Sequence, residues 1–203
     1  MLNLSHFESL IELKIPEISK NLHRNSLKLE DLEALEAKAN CKLPDDIRGF
    51  YLAFNGQDLN SPYGFFFNWD FLSIAAVGNV WETWVQTAIT EGANAQFAGQ
   101  MSSNPKGHIQ EVYFCQGWIP FAADGCGNFI AVDTEPAAAG NFGQVILAGL
   151  DHDEKRVLAT SFKDFLEQFC KILVSDSFSL DKEFGFEPTL DADNPLADQW
   201  DWT

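Results

Sequence analysis

The sequence predicts an α+β domain in which N-terminal helices precede a central antiparallel sheet and an amphipathic C-terminal helix packs behind it. Three observations predict it. Apolar residues recur at helical spacing in three segments before residue 57, β-prone segments separated by turn formers fill the middle, and SFKDFLEQFCKILVSD returns to one apolar stripe. Helices and strands segregated in this way favour an antiparallel sheet over alternating βαβ units. The chain has 203 residues, 46% hydrophobic and 21% charged, which suits one self-sufficient core. Residues 1–175 read as that single domain, and 176–203 as an acidic, aromatic-bearing extension that packs on it or is partly flexible.

The first helix is SHFESLIEL, with Ser5 and Glu8 spaced as a capping box and Phe7, Leu10, Ile11 and Ile15 on one face before Pro16. LKLEDLEALEAKANCKL gives a second helix, with Leu29, Leu32, Leu35 and Ala39 on one side and Asn40 as its stop. In LPDDIRGFYLAFNGQD, Pro44 suits the first helical position, Asp45 and Asp46 suit the positive end of the dipole, and Asn55-Gly56 closes a third helix. YGFFFNWDFLSI is aromatic and reads as a strand. The next segment is helical through Val77, Val80 or Trp81, Trp84 and Ala88.

Residues 93–107 are small and polar and read as an irregular connection. IQEVYFCQGWIPFA and GNFIAVDT then read as antiparallel strands joined by ADGCG, whose glycines supply positive φ. GQVILAGL is a further strand approaching DHDEKRVLAT. Ser161 is placed to cap the last helix, whose apolar face carries Phe162, Phe165, Leu166, Phe169 and Leu173.

Several chemistries are disfavoured by the same residues. Gly125-x-Gly127 lacks the third glycine and the following helix of a dinucleotide loop, and no Walker sequence is present. Asp124 and Asp133 fall at opposite ends of one strand, too far apart for a paired-carboxylate site. The tail DADNPLADQWDW carries Leu196 and Trp202 where a calcium loop needs Gly and Glu. Cys41, Cys115, Cys126 and Cys170 show no paired spacing and read as buried thiols. No nucleophile signature surrounds any Ser or Cys. The aromatic groups YGFFFNW and WETW suit a core better than a ligand cleft.

The formal net charge of −17 sets a field that repels nucleic acid and anionic membranes and attracts basic proteins. The N-terminus lacks the basic and apolar regions of a signal peptide, and no apolar run reaches membrane-spanning length, so a cytoplasmic protein is expected.

The stretches LEDLEALEAKANCKLPDDIRGFYLAFNGQD and WIPFAADGCGNFIAVDTEPAAAGNFGQVI together resemble the SUKH superfamily, which includes the yeast Smi/Knr cell-wall-assembly regulators and many bacterial immunity proteins. Leu43, Pro44, Asp45, Asn55 and Gly56 match its first motif. Trp118, Pro120, Asp124, Gly127, Asp133, Gly143, Gln144 and Val145 match its second, and Ser161, Phe162 and Leu166 resemble its final helix. The resemblance spans about residues 26 to 170, and two ordered motifs are more specific than one. It implies a Smi/Knr-like α+β binding module with no catalytic residues; the motifs weighed above leave no cofactor or metal expected and disfavour a small-molecule ligand. The partner it implies is a protein, foremost a basic toxin of nuclease or deaminase type neutralised by an immunity protein. The alternatives are a regulatory or scaffold protein docking on a cellular partner and, from another class, an unrecognised hydrolase. Asp151, Asp153 and Glu154, in an expected turn, are the candidate partner contacts.

Overall fold

The computed structural model describes residues 4–189. Helix α1 (Leu4–Lys14) buries Phe7, Leu10 and Ile11. Ser5 lies inside this helix, so the expected capping box is not formed, and Glu8 instead accepts from Arg24 Nε at 2.7 Å. After the short helix α2 (Pro16–Ser19) comes strand β1 (Leu22–Arg24). Helix α3 (Leu29–Ala39) ends where Asn40 adopts a left-handed conformation, φ 51°, as its sequence position requires. Its buried face is Leu32, Leu35, Glu36 and Ala39. Leu29, at the first helical position, overhangs the core and is exposed.

Helix α4 (Asp45–Ala53) begins just after Pro44, which is its N-cap and not its first residue. Asn55 and Gly56, expected to close that helix, belong to strand β2 (Phe54–Gln57), antiparallel to β1. Gly56 has φ +81°, and a Cβ there would lie 2.4 Å from Ser73 N, so the backbones touch only because the residue is glycine.

The aromatic segment expected as one long strand is mostly loop, and only β3 (Asp70–Phe71) pairs with the sheet. The Gln57 side chain explains the difference. Its Oε1 accepts from Phe65 N at 2.8 Å and Phe71 N at 2.9 Å, and its Nε2 donates to Tyr63 O at 2.9 Å and Asp70 Oδ1 at 3.0 Å. One carboxamide thus fills its whole hydrogen-bonding capacity and satisfies backbone that a neighbouring strand would otherwise satisfy. The loop folds around it and sends Phe65, Phe66 and Phe67 inward together.

Helix α5 (Ile74–Val85) is capped by Ser73 and buries Val77, Trp81 and Trp84, then continues into a π-helical turn at Gln86–Thr90. The connection expected to be irregular contains the short helix α6 (Ala93–Gln96) and strand β4 (Ser102–Asn104). Residues 109–117, expected to open the next strand, carry no regular structure; β5 is Trp118–Ala123. Strands β6 (Asn128–Asp133), β7 (Gln144–Gly149) and β8 (Glu154–Ala159) follow. The sheet order is β3-β5-β6-β7-β8-β4, antiparallel as expected except that β4 joins β8 in parallel.

Helix α7 (Phe162–Val174) starts at Ser161, whose hydroxyl accepts from Asp164 N at 3.1 Å. Strands β9 (Phe178–Asp181) and β10 (Gly185–Pro188) form a separate hairpin. The tail segment compared with a calcium loop lies outside the described residues.

Strands β6 and β7 are buried at every residue and β5 at all but its last, which requires cover on both faces. Trp84 packs on Phe129, and Phe162 and Phe165 pack on Phe121. Phe66 is the hub, its ring centroid 4.7 to 5.8 Å from those of Phe65, Phe71, Phe121, Phe165 and Phe169. Both aromatic groups are therefore core. Among the described residues no helix is long and apolar enough to cross a membrane.

Gln57→Leu strands the Phe65 and Phe71 amides and should lower the unfolding free energy by about 2–4 kcal/mol in urea titration. Gln57→Glu keeps the acceptor but sets a carboxylate against Asp70. Its deficit should therefore shrink on acidification, whereas that of Gln57→Leu should not.

Candidate functional site

The residues singled out by their motifs fall into three hydrogen-bonded fastenings, two of them buried at Glu36 and at Asp133 with Gln144, and the surfaces around them. The first joins α3 to α4. Glu36 is 2% exposed, accepts from Leu43 N at 2.9 Å and from Lys42 Nζ at 2.9 Å, and is ion-paired with Arg48. Burial works against its charge, but the bonds from Arg48, Lys42 and Leu43 outweigh that and hold its pKa below the ordinary carboxylate value. Leu43 is buried by the chain direction this fixes.

The second fastening sits at one end of β6 and β7. Asp133 Oδ2 accepts from Gln144 Nε2 at 2.9 Å, and Asp133 Oδ1 accepts from Glu135 N at 3.0 Å. The same Gln144 amide donates to His108 O at 2.8 Å, while its Oε1 accepts from Asn141 N at 3.1 Å. Gly143, φ +83°, brings this turn against Pro44; a Cβ there would meet Pro44 Cγ at 2.7 Å. The two motifs, about a hundred residues apart in sequence, therefore meet here. Asp46 ties in the last helix, accepting from Ile47 N at 2.9 Å and from Lys163 N at 2.8 Å.

The third fastening is at the opposite end of the same strands. Asp124 Oδ1 accepts from Cys126 N at 2.7 Å and Asn128 N at 2.9 Å, closing the turn through Gly125 and Gly127 at φ +76° and +106°. Asn128 Nδ2 donates to Asp124 Oδ2 at 2.7 Å and Asp151 Oδ2 at 2.9 Å. Asp124 and Asp151 are thus brought together, whereas Asp124 and Asp133 stand at opposite ends of β6. Trp118 and Pro120 are buried in β5; Pro120 adjoins an irregularity in the ladder to β6, and the Trp118 indole N–H has no partner among the described residues. Packing is what Trp118 supplies, with Phe114 edge-on at 5.8 Å.

Sequence reasoning missed Gln57, Glu36, Asn128 and Lys155. Glu36 lies on the apolar stripe beside Leu32 and Ala39, a signal that it is buried. Lys155 is fully buried in β8, where its ammonium donates to His152 O and lies 6.0 Å from the Tyr113 ring centre. Burial lowers its pKa to about 8, opposed by Asp153.

Among the described residues no three His, Cys, Asp or Glu side chains are grouped to hold a metal ion. Cys126 is exposed at the turn, and Cys41, Cys115 and Cys170 are half-buried, which corrects the expectation of four buried thiols. Burial pushes Cys115 up to about 12 and Cys170 up to about 11, which keeps both as poorly nucleophilic thiols at neutral pH. What faces solvent beside the third fastening is acidic. Asp151, Asp153 and Glu154 are exposed next to Leu150, itself 53% exposed, and Glu154 also accepts from Asn104 Nδ2 at 3.2 Å.

The SMI1 / KNR4 family (SUKH-1) model matches residues 26–168. The chain is 40% identical over 145 residues to the cell wall biosynthesis/cell cycle regulator smi1 of Schizosaccharomyces pombe, covering 67% of this chain and 29% of that protein. It is 29% identical over 210 residues to KNR4/SMI1 homolog 2 of Debaryomyces hansenii, covering 86% of this chain and 35% of the other. With the glucan synthesis regulatory protein of Neurospora crassa it shares 29% over 185 residues, covering 76% and 35%. The chain thus spans about a third of the length of these relatives.

Burial raises Asp133 from its ordinary 3.8 to about 6, against the bonds from Gln144 and Glu135. The folded state therefore holds this proton more tightly than the unfolded one. The stability it contributes is complete below about pH 4 and is lost as pH rises through about 6. Near pH 4 the folded Asp133 is protonated, and Asp133→Asn replaces a hydroxyl oxygen that can still accept from Gln144 or Glu135 with an NH2 that cannot, which should cost about 1–3 kcal/mol. That gap should narrow by pH 7, because only the wild type loses stability over the interval. Equal pH profiles for the two proteins would contradict the assignment.

Proposed function

Because the chain belongs to the SMI1/KNR4 (SUKH-1) family, we propose that it is a protein-binding regulatory module that docks on a cellular partner and performs no catalysis of its own. The observation that carries this reading is the commitment of Glu36, Asp133, Gln144 and Asn128 to internal hydrogen bonds. Polar residues that would mark a reaction centre serve instead to hold the fold, and the outer surface is left to do the work. The relatives named as regulators of cell-wall and glucan synthesis favour this reading over toxin neutralisation, which was the first expectation from the resemblance.

The partner is a protein with a basic face. A net charge of −17 accelerates encounter with such a surface, and Asp153 and Glu154, exposed beside Leu150, combine charge with an apolar contact. Asp151 and Glu154 are poorer probes than Asp153, because their carboxylates already accept from Asn128 and from Asn104 and Arg156 respectively.

A tagged chain should retain a protein partner on affinity purification from fungal cells, and recovery of the chain alone counts against docking. With that partner in hand, Asp153→Lys should slow association severalfold at low salt, with the melting temperature unchanged. The wild-type association rate should fall as salt rises, since exposed charges are screened beyond about 8 Å at physiological ionic strength. A rate indifferent to salt would assign the acidity to solubility alone.

A further inference from the structure

The hairpin of β9 and β10 is not hydrogen-bonded to the main sheet through strand pairing. Among the described residues its attachments include the Asn68 amide and the Phe186 ring, with Phe178 partly buried against the core. Asn68 Nδ2 donates to Phe184 O at 3.1 Å, and Asn68 Oδ1 accepts from Phe186 N at 2.7 Å. The amide therefore reads the backbone on either side of Gly185 as a neighbouring strand would. Phe186 is fully buried, its ring 4.6 Å from Phe67 and 6.3 Å from Phe169, with Phe178 of the hairpin at 5.6 Å.

The receiving surface is strained and the occupant is selected. Phe67 and Asn68 are consecutive non-glycine residues at φ 49° and 67°, a conformation that persists only where the surroundings impose it. Gly185 has φ +89°, and a Cβ there would fall 2.2 Å from Asn68 Oδ1, so any other residue collides with the amide. The hairpin also carries Asp181, Glu183 and Glu187 against one Lys182, on a chain already at −17. A segment of neutral or basic composition would be better matched to this body. Phe67 and Asn68 lie inside the region matched by the family model, which ends at residue 168; the hairpin lies beyond it.

We propose that the slot formed by Phe67, Asn68 and Phe169 is a docking site for a neutral or basic segment of a partner protein carrying a glycine followed by an aromatic residue, and that the hairpin is its built-in occupant. The glycine lets the partner's backbone reach the Asn68 amide, and the aromatic ring fills the space between Phe67 and Phe169. Docking in trans requires the hairpin to leave, so its occupancy lowers the apparent affinity for the partner. The inference rests on the reading of the chain as a binding module. Its test needs no cellular partner, so a failure here leaves that reading standing.

The test uses the full chain, Gly185→Ala to dislodge the hairpin, and a labelled peptide SFSLDKEFGFEPT, the sequence of residues 177–189. Gly185→Ala should speed hydrogen exchange at the Phe186 amide while leaving the thermal melt of the main domain in place. It should bind the peptide at least about tenfold more tightly than the wild type, whose tethered hairpin competes at an effective concentration of about millimolar. A peptide with the second phenylalanine of its Phe-Gly-Phe triplet replaced by alanine should not bind. Asn68→Gly, which keeps the left-handed turn and removes the amide, is the second variant: it should free the hairpin but bind the peptide weakly. If neither variant accelerates exchange, the hairpin is an inseparable part of the core and the proposal fails. It fails equally if a freed hairpin leaves the peptide unbound, or if the variants merely exchange hairpins as dimers.

Discussion

The fold depends on a single carboxamide standing where a strand would be. Gln57 ends a short strand, yet its side chain reaches across a loop and completes the hydrogen bonds of Tyr63, Phe65, Asp70 and Phe71. Without it, buried amides in the most aromatic part of the chain would be left without partners. With it, three consecutive phenylalanines enter one core, and Phe66 touches rings contributed by β3, β5 and α7. The helices before the sheet and the helix after it are joined through this loop. A polar group thus sets the geometry of an apolar centre.

Where local chemistry is decisive, the sequence and the structure agree. Asn40 ends α3 in the left-handed region, Ser161 caps α7, and the glycines of ADGCG turn β5 into β6. Each outcome depends on residues within four positions of one another. The failures share the opposite property. YGFFFNWDFLSI has the composition of a strand, but Gln57, up to fourteen residues away, supplies its partners. Ser5 and Glu8 have capping-box spacing, but the helix begins earlier and Arg24 claims the carboxylate. The parallel edge strand β4 carries only three residues in a polar stretch, with no period to detect. The candidate site divides in the same manner. The motif positions were legible, while their connection through Glu36, Asn128 and Asp46 is long-range and polar.

The three fastenings show why the family motifs can be shared by proteins that act through surfaces. Asp133, Gln144, Gly143 and Pro44 lock a helical start against a strand end, and Asp124 with Asn128 locks the other end. Such a frame tolerates change on its exterior, because most of its hydrogen bonds are made to backbone and side chains inside the fold. Surface chemistry can then diverge while the scaffold is retained. In this chain the exterior is acidic, and the described structure spans only part of what its relatives contain.

The first helix and the last share one core. Phe7 of α1 lies 5.4 Å from Phe50 and 6.3 Å from Phe65, and α1 packs on α7. During synthesis, the part of α1 that faces α7 must therefore wait for α7 to be translated before it is covered. At about 5–20 residues per second, that delay lasts roughly ten to thirty seconds. Throughout it the nascent chain displays apolar side chains to its surroundings, a surface that invites chaperones and, in their absence, premature association.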